Sequence, residues 1–80
     1  MTGNVERGTV VRALAGREKG RFMIAVGCEA GCVLLADGDE RKLAAPKRKN
    51  VKHVAATGTV VDMDDISDKK IRQILSGYQA

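Results

Sequence analysis

Between Arg41 and Lys52 the chain carries six basic side chains (Arg41, Lys42, Lys47, Arg48, Lys49 and Lys52) and no acidic one. Like charges at that density repel, so the arrangement costs stability unless an anion neutralises it. The chemistry on offer is contact with phosphate oxygens, by an ammonium point charge or a guanidinium fork. A solvated basic loop is the plainer account. A second basic group lies at Arg17, Lys19 and Arg21, offset in part by Glu18. Asn50 and His53 flank the long run. Their amide and imidazole could hydrogen-bond base edges or 2′-hydroxyls; a turn asparagine and a satisfied strand histidine fit them equally well.

Other chemistries find less support. Cys28 and Cys32 give two soft ligands where a structural zinc site needs four, and His53 adds one at most. They read as reduced free thiols packed across a turn. The stretch from Gly16 to Gly20 lacks the Gly-Lys-Ser/Thr ending of a phosphate-binding P-loop. With one histidine and no nucleophile–base–orienter set, catalysis is not expected. Asp62, Asp64 and Asp65 do not have the spacing of a calcium loop, and an acidic lead-in to a helix is simpler. The expectation is a non-enzyme with no metal and no cofactor.

The elements that must position the cations start at Gly8. Thr9 to Ala15 is rich in Val and Thr and reads as a strand. Gly16-Arg17-Glu18-Lys19-Gly20 follows, and Arg21 to Glu29 returns. Glycine reaches φ > 0 without a Cβ clash, so Gly16 and Gly20 can turn the chain sharply at both ends of a five-residue hairpin loop. Arg17 and Lys19 would then stand out at its tip. Phe22, Ile24, Val26 and Cys28 would share one strand face, with Met23 and Ala25 on the other beneath the C-terminal segment. Ala30-Gly31 is a tight turn, and Cys32 to Asp37 returns with Val33 and Leu35 opposed to Leu34 and Ala36. Asp37-Gly38-Asp39 is another turn signal, Glu40 to Ala44 a further strand, and 46–50 an exposed loop opened by Pro46. Val51 to Val61 supplies the last strand, bent or bulged at Gly58. Residues 1–7 read as polar and frayed.

The spacing Val11-x-Ala13-Leu14-x-Gly16-x-x-Lys19-Gly20 resembles a KOW motif. Adding Ala36-Asp37-Gly38 and the run from Pro46 to His53, residues 8–54 resemble KOW-domain RNA-binding proteins of the ribosomal protein L14e/L6e/L27e-like group. The resemblance implies a small SH3-like barrel and a role near rRNA for Arg17 and Lys19.

After Val61 the pattern changes. Ser67 can N-cap a helix and Asp68 favours its positive end. Ile71, Ile74 and Leu75 form one apolar stripe, and Gly77 stands at the C′ position. Ser67 to Ser76 is too short to persist alone and must dock.

Eighty residues make one domain: an all-β, SH3-like barrel over about 6–61 with a short C-terminal helix over about 67–76. Net charge is +4, with +5 in residues 1–61 and −1 in 62–80, so the basicity lies with the barrel. Basic domains favour nucleic acid. The only aromatics are Phe22 and Tyr78, which argues against single-strand stacking platforms and for structured RNA read by shape and backbone. No run reaches the roughly 20 apolar residues of a membrane span. The reading is an rRNA-binding, ribosome-associated protein of translation, cytoplasmic and monomeric when free, with ribosomal subunit proteins as further partners. Its candidate contacts are Arg17, Lys19, Arg21, Arg41, Lys42, Lys47, Arg48, Lys49, Asn50, Lys52 and His53. The alternative is a protein-interaction module of the same fold in transcription or translation.

Overall fold

The structure, a computed structural model, describes residues 5–78. The expected frayed start lies, for residues 1–4, outside the described residues. Val5 to Arg7 is not loose: Val5 packs into the core, its carbonyl lies 2.9 Å from the Cys28 thiol, and Glu6 O accepts the Thr9 amide at 3.0 Å.

Five strands, β1 (Thr9–Ala13), β2 (Phe22–Glu29), β3 (Cys32–Ala36), β4 (Lys47–Asn50) and β5 (Val54–Val60), form one antiparallel sheet in the order β4-β3-β2-β1-β5. The two edge strands are consecutive in the chain. Only the 3₁₀ turn Val51–His53 joins them. In a flat sheet four spacings of about 4.8 Å would hold β4 and β5 roughly 19 Å apart. A three-residue 3₁₀ turn advances only about 2 Å per residue. The sheet must therefore roll up. Hydrogen bonds fix the closure: Val51 N donates to Gly31 O at the β2–β3 tip (3.0 Å), and Leu14 N, just past β1, donates to His53 O (2.8 Å).

Rolling buries both faces. The inner face holds Val11, Met23, Ala25, Val33, Leu35 and Val54, with Val5 and Val51 packed against them. The outer face sets Val10, Ile24 and Ala36 under Met63 and helix α1 (Asp68–Ser76), through Ile71 and Leu75. Adjacent Val10 and Val11, which break simple alternation, are each fully buried because both faces are covered. The helix thus covers the Ile24 face. Met23 and Ala25 lie on the inner side, not beneath the C-terminal segment.

Two irregularities let the strands bend. In β2 the register shifts between Ala25 and Gly27, leaving Val26 as an extra residue. That reverses the parity beyond it. Cys28 pairs with inward Val33 and leaves the face of Phe22, Ile24 and Val26. Cys32 pairs with Glu29, so the two thiols fall on opposite faces and do not pack together as expected. In β5 the shift spans the expected bend: Thr9 opposes Val60 while Val11 opposes Ala56. Thr57 Oγ1 donates to the Val10 carbonyl there (2.8 Å), replacing a lost ladder bond.

The expected strand Glu40 to Ala44 is a loop. Asp37 Oδ1 accepts the amides of Asp39 (2.8 Å) and Arg41 (2.9 Å), and Asp68 Oδ1 accepts that of Leu43 (2.9 Å). Donors a ladder would need are taken by carboxylates. The expected loop 46–50 is instead mostly strand β4, with Pro46 just before its start, where a residue without an N–H costs no ladder bond. The last strand is shorter than expected, since residues 51–53 make the closing turn.

Ser67 caps α1 as expected, its hydroxyl accepting from Lys70 N at 3.2 Å. Gly77 is not a left-handed C′ residue; at φ −71° it continues the right-handed path. That path brings Tyr78 back to Phe22, with ring centroids 5.2 Å apart, and its hydroxyl to Thr59 Oγ1 at 2.5 Å.

Within the apolar stripe Ile71 is fully buried and Ile74 only half-buried. Ile71→Ala is expected to destabilise by about 2–5 kcal/mol, lowering the melting midpoint by at least about 8 °C at this chain length. Ile74→Ala should cost clearly less. Thermal melting of both variants checks this, and a wild-type melt for Ile71→Ala would mean α1 is not docked.

Candidate functional site

Strand pairing brings the basic β1–β2 loop and the start of the second basic segment to one end of the sheet, while β4 carries the rest of that segment toward the β2–β3 tip. The β1–β2 loop (14–21) leaves β1 at Ala13 and enters β2 at Phe22. Because Ile24 opposes Ala36 and Leu35 opposes Lys47, the loop 37–46 between β3 and β4 emerges beside it. The first loop is built as its glycines require, with Gly16 at φ +80° and Gly20 at φ +87°. It is closed by Gly20 N to Ala13 O (2.8 Å) and Ala13 N to Arg21 O (2.9 Å). The second loop is clamped by α1: Asp68 holds Leu43 N, and Arg72 Nη1 donates to Gly38 O at 2.6 Å.

Between the loops sits Glu18, a buried carboxylate with a side chain 10% exposed. Its Oε2 accepts from Arg41 Nη2 at 3.1 Å, and its Oε1 lies 3.5 Å from Lys49 Nζ. Lys49 Nζ also donates to Ala15 O at 2.8 Å. The Arg41 hydrogen bond holds the Glu18 pKa below its ordinary 4.5, with help from Lys49 and against the opposing effect of burial. Desolvation of a carboxylate is expensive, and two cations at hydrogen-bonding distance are what offset it.

This changes the standing of Lys49. It opposes Val33 in the β4–β3 register, so its side chain points to the inner face, is 9% exposed and closes on Glu18. It is a structural lysine on an edge strand, not a cation at a loop tip. Inward-pointing charges of this kind also discourage edge-to-edge association. Arg41 is likewise engaged by Glu18. Lys47, opposite Leu35, shares the inner side and is half-buried.

Arg48 and Asn50 project from the other side of β4. Arg48 Nε meets Glu29 Oε1 at 3.3 Å. The neighbouring Cys32 sulfur and Glu29 raise its pKa further above the ordinary arginine value. Asn50 Oδ1 accepts from Lys52 N (2.8 Å) and caps the closing turn. Its turn role is thereby explained, while the His53 ring stands exposed beside Lys52.

Arg21, half-exposed, forms an ion pair with Glu40, and Asp37 Oδ2 lies 3.9 Å from its Nη1. Glu40 is the main cause of a raised Arg21 pKa. A guanidinium is protonated at any physiological pH, so both arginine shifts report placement and alter no charge. Arg17, Lys19, Lys42 and Lys52 are exposed and form no ion pair among the described residues.

The run that reads in sequence as unopposed by acid is thus opposed in space, by Glu18 and Glu29. Glu18 is the residue sequence reasoning undervalued. Its signal was a lone acid between two turn glycines in a basic loop. No group of three or more His, Cys, Asp or Glu that could hold a metal ion occurs among the described residues. No described helix is long and apolar enough to cross a membrane. No protein-family model matches the chain, and no curated protein matches it significantly.

Glu18 supplies a pH prediction. A carboxylate whose folded pKa is depressed stabilises fully above its ordinary value and loses that contribution as pH falls through the folded pKa. Glu18→Gln is expected to cost about 1–3 kcal/mol at pH 7, the penalty for under-satisfied buried groups. The gap to wild type should close as pH drops below 4.5. Chemical denaturation from pH 7 to pH 3 measures it; a gap constant with pH would show that Glu18 is not held as its carboxylate.

Proposed function

We propose that this chain is a KOW-type, SH3-like barrel that binds structured RNA, rRNA above all, as a ribosome-associated protein. The observation that carries the reading is the convergence of the Gly16–Gly20 loop with the loop 37–46 at one end of the sheet. It sets exposed Arg17, Lys19, Arg21 and Lys42 on these two loops, with half-buried Lys47 at the start of β4 beside them and exposed Lys52 and His53 at the turn that Leu14 contacts. Exposed cations on well-braced backbone suit phosphate contacts, which position an RNA and dominate its affinity. Phe22 and Tyr78 pack on each other, so neither is presented as a base-stacking platform. That favours recognition through backbone and shape. Arg41 and Lys49 serve the site by building it.

A protein partner has one observation in its favour. A mostly apolar groove is lined by Val5, Leu14, Val51, Lys52, Val54, Ala55 and Ala56 at the start of β5, with Leu14 45% exposed. The exposed cations outweigh it, since apolar surface of this kind without exposed aromatics makes a poor interface anchor.

The triple change Arg17→Gln, Lys19→Gln, Lys42→Gln tests the reading. Each lost phosphate contact lowers the slope of log K against log salt by about 0.7–0.9, so binding to duplex or hairpin RNA should weaken and the slope flatten by about 2–3. Stability should stay within about 0.5 kcal/mol, as for other surface changes. Lys69→Gln with Lys70→Gln on α1 is the control and should do much less. Equal effects of both sets would reduce binding to net charge, and RNA binding untouched by the triple change would move the interface elsewhere.

A further inference from the structure

Arg17, Glu18, Arg21, Glu40 and Arg41 line a cleft of about 240 Å³ between the two loops. Three guanidinium groups around so small a space is a costly arrangement without counter-charge; besides Asp37, 3.9 Å from Arg21, the cleft's own lining supplies it in two unlike ways. Glu18 is buried, fixed by Arg41 and Lys49, and cannot leave without stranding both. Glu40 is 64% exposed, and its only ion pair among the described residues is with Arg21. Exposed pairs of this type contribute little and exchange readily.

The geometry points to an oxyanion site in which the Glu40 carboxylate is a displaceable internal stand-in for a phosphate. Resting on the RNA-binding reading, this assigns the cleft to one backbone phosphate of the bound RNA. Arg17 and Arg21 are its direct ligands. Arg41, already committed to Glu18, fixes the cleft wall and adds charge. A carboxylate and a phosphodiester both present oxygens that a guanidinium fork binds in bidentate fashion, which is why one can replace the other. The cleft has room for a phosphate group and its first ester oxygens, and it falls below the volume usual for a drug-sized ligand. Glu40 sets a threshold. An anion enters only if it binds Arg21 better than the tethered carboxylate does, so isolated weak anions are rejected and a phosphate delivered by a neighbouring docked backbone is accepted.

A matched pair of variants tests this. Glu40→Gln and Glu29→Gln each remove one exposed carboxylate paired with an arginine, and each changes net charge by the same amount. Glu40→Gln leaves Arg21 in the cleft with only the more distant Asp37 carboxylate, 3.9 Å away; Glu29→Gln frees Arg48 on the opposite side of β4. Binding is measured for a hairpin RNA by fluorescence and for pyrophosphate by NMR, following the arginine Nε–H signals. Glu40→Gln is expected to tighten both ligands by about three- to fivefold, the upper part of the range for an exposed ion pair, and to shift the Arg17 and Arg21 signals on adding pyrophosphate. Glu29→Gln should change either affinity by less than about twofold. Equal tightening by the two variants, or no tightening by Glu40→Gln, overturns the proposal even where RNA binding itself stands. Tightening of pyrophosphate at Arg17 and Arg21 in a protein that binds no RNA supports the oxyanion site and rejects the RNA reading. Melting curves of both variants, expected to match wild type, exclude a folding effect.

Discussion

Three residues join strands that occupy opposite edges of the sheet, and most of the architecture follows from that short connection. A flat sheet cannot be spanned by Val51–His53, so the sheet rolls up. A rolled sheet has an inside that needs apolar side chains independently of the helix side. This is why a chain of 80 residues carries two separate clusters, and why consecutive Val10 and Val11 are both buried. Rolling also demands bent strands. The extra residue Val26 and the irregularity around Gly58 provide the bends, and each is compensated locally, by a changed facing at Cys28 and by the Thr57 hydroxyl on the Val10 carbonyl.

Closure also decides what happens to charge. It brings edge strand β4 against the β1–β2 loop, where Lys49 would otherwise enter the inside of the rolled sheet unpaired. Glu18 meets it there, and Arg41 meets Glu18 from the second loop. Such a buried cluster is a poor source of net stability, since desolvation consumes much of the Coulombic gain. It is a strong source of specificity of arrangement, because removing one member strands the rest. The cluster therefore sets the relative position of two loops that have no ladder bonds between them. Helix α1 adds the second brace, through Asp68 on Leu43 N and Arg72 on Gly38 O. The same helix that seals the outer core thus also holds the loop bearing Glu40, Arg41 and Lys42.

The parts of this structure legible in the sequence were those governed by local rules. The hairpin with glycines at both ends of its loop, the turn at Ala30-Gly31, the Ser67 cap and the Ile71–Leu75 stripe each depend on residues close together in the chain. The mostly β architecture with one C-terminal helix followed from them. The segment 40–50 departs from its local sequence pattern for a physical reason. Glu40 to Ala44 has strand-compatible residues, but its amides are captured by Asp37 and by Asp68, the latter 25 positions from Leu43 in sequence. Lys47–Asn50 looks like a solvated loop by composition, yet β3 offers it a free edge. The facing of Cys28 was lost to a bulge that no alternation pattern displays. For the candidate site, the cations were visible and their partners were not. Glu18 and Lys49 stand 31 positions apart, and nothing short of the closed sheet brings them together.

That asymmetry bears on how basic surfaces are read in general. A count of six cations without an acid in 41–52 describes a polyanion trap. The folded molecule has a graded surface instead. Lys49 is withdrawn into the fold, Arg41 is committed to Glu18, Arg48 is held by exposed Glu29, and Arg21 by exposed Glu40 with buried Asp37 beyond it. Arg17, Lys19, Lys42 and Lys52 remain without ion pairs among the described residues. A surface made only of unpaired cations would bind every polyanion through counterion release alone. Interleaved carboxylates change the rule of selection. A ligand must supply enough well-placed phosphates to replace internal partners while it engages the unpaired lysines. On the proposed reading, discrimination then comes from the spacing and rigidity of the incoming backbone, properties of folded RNA, and the acids among the cations serve recognition as much as the cations do.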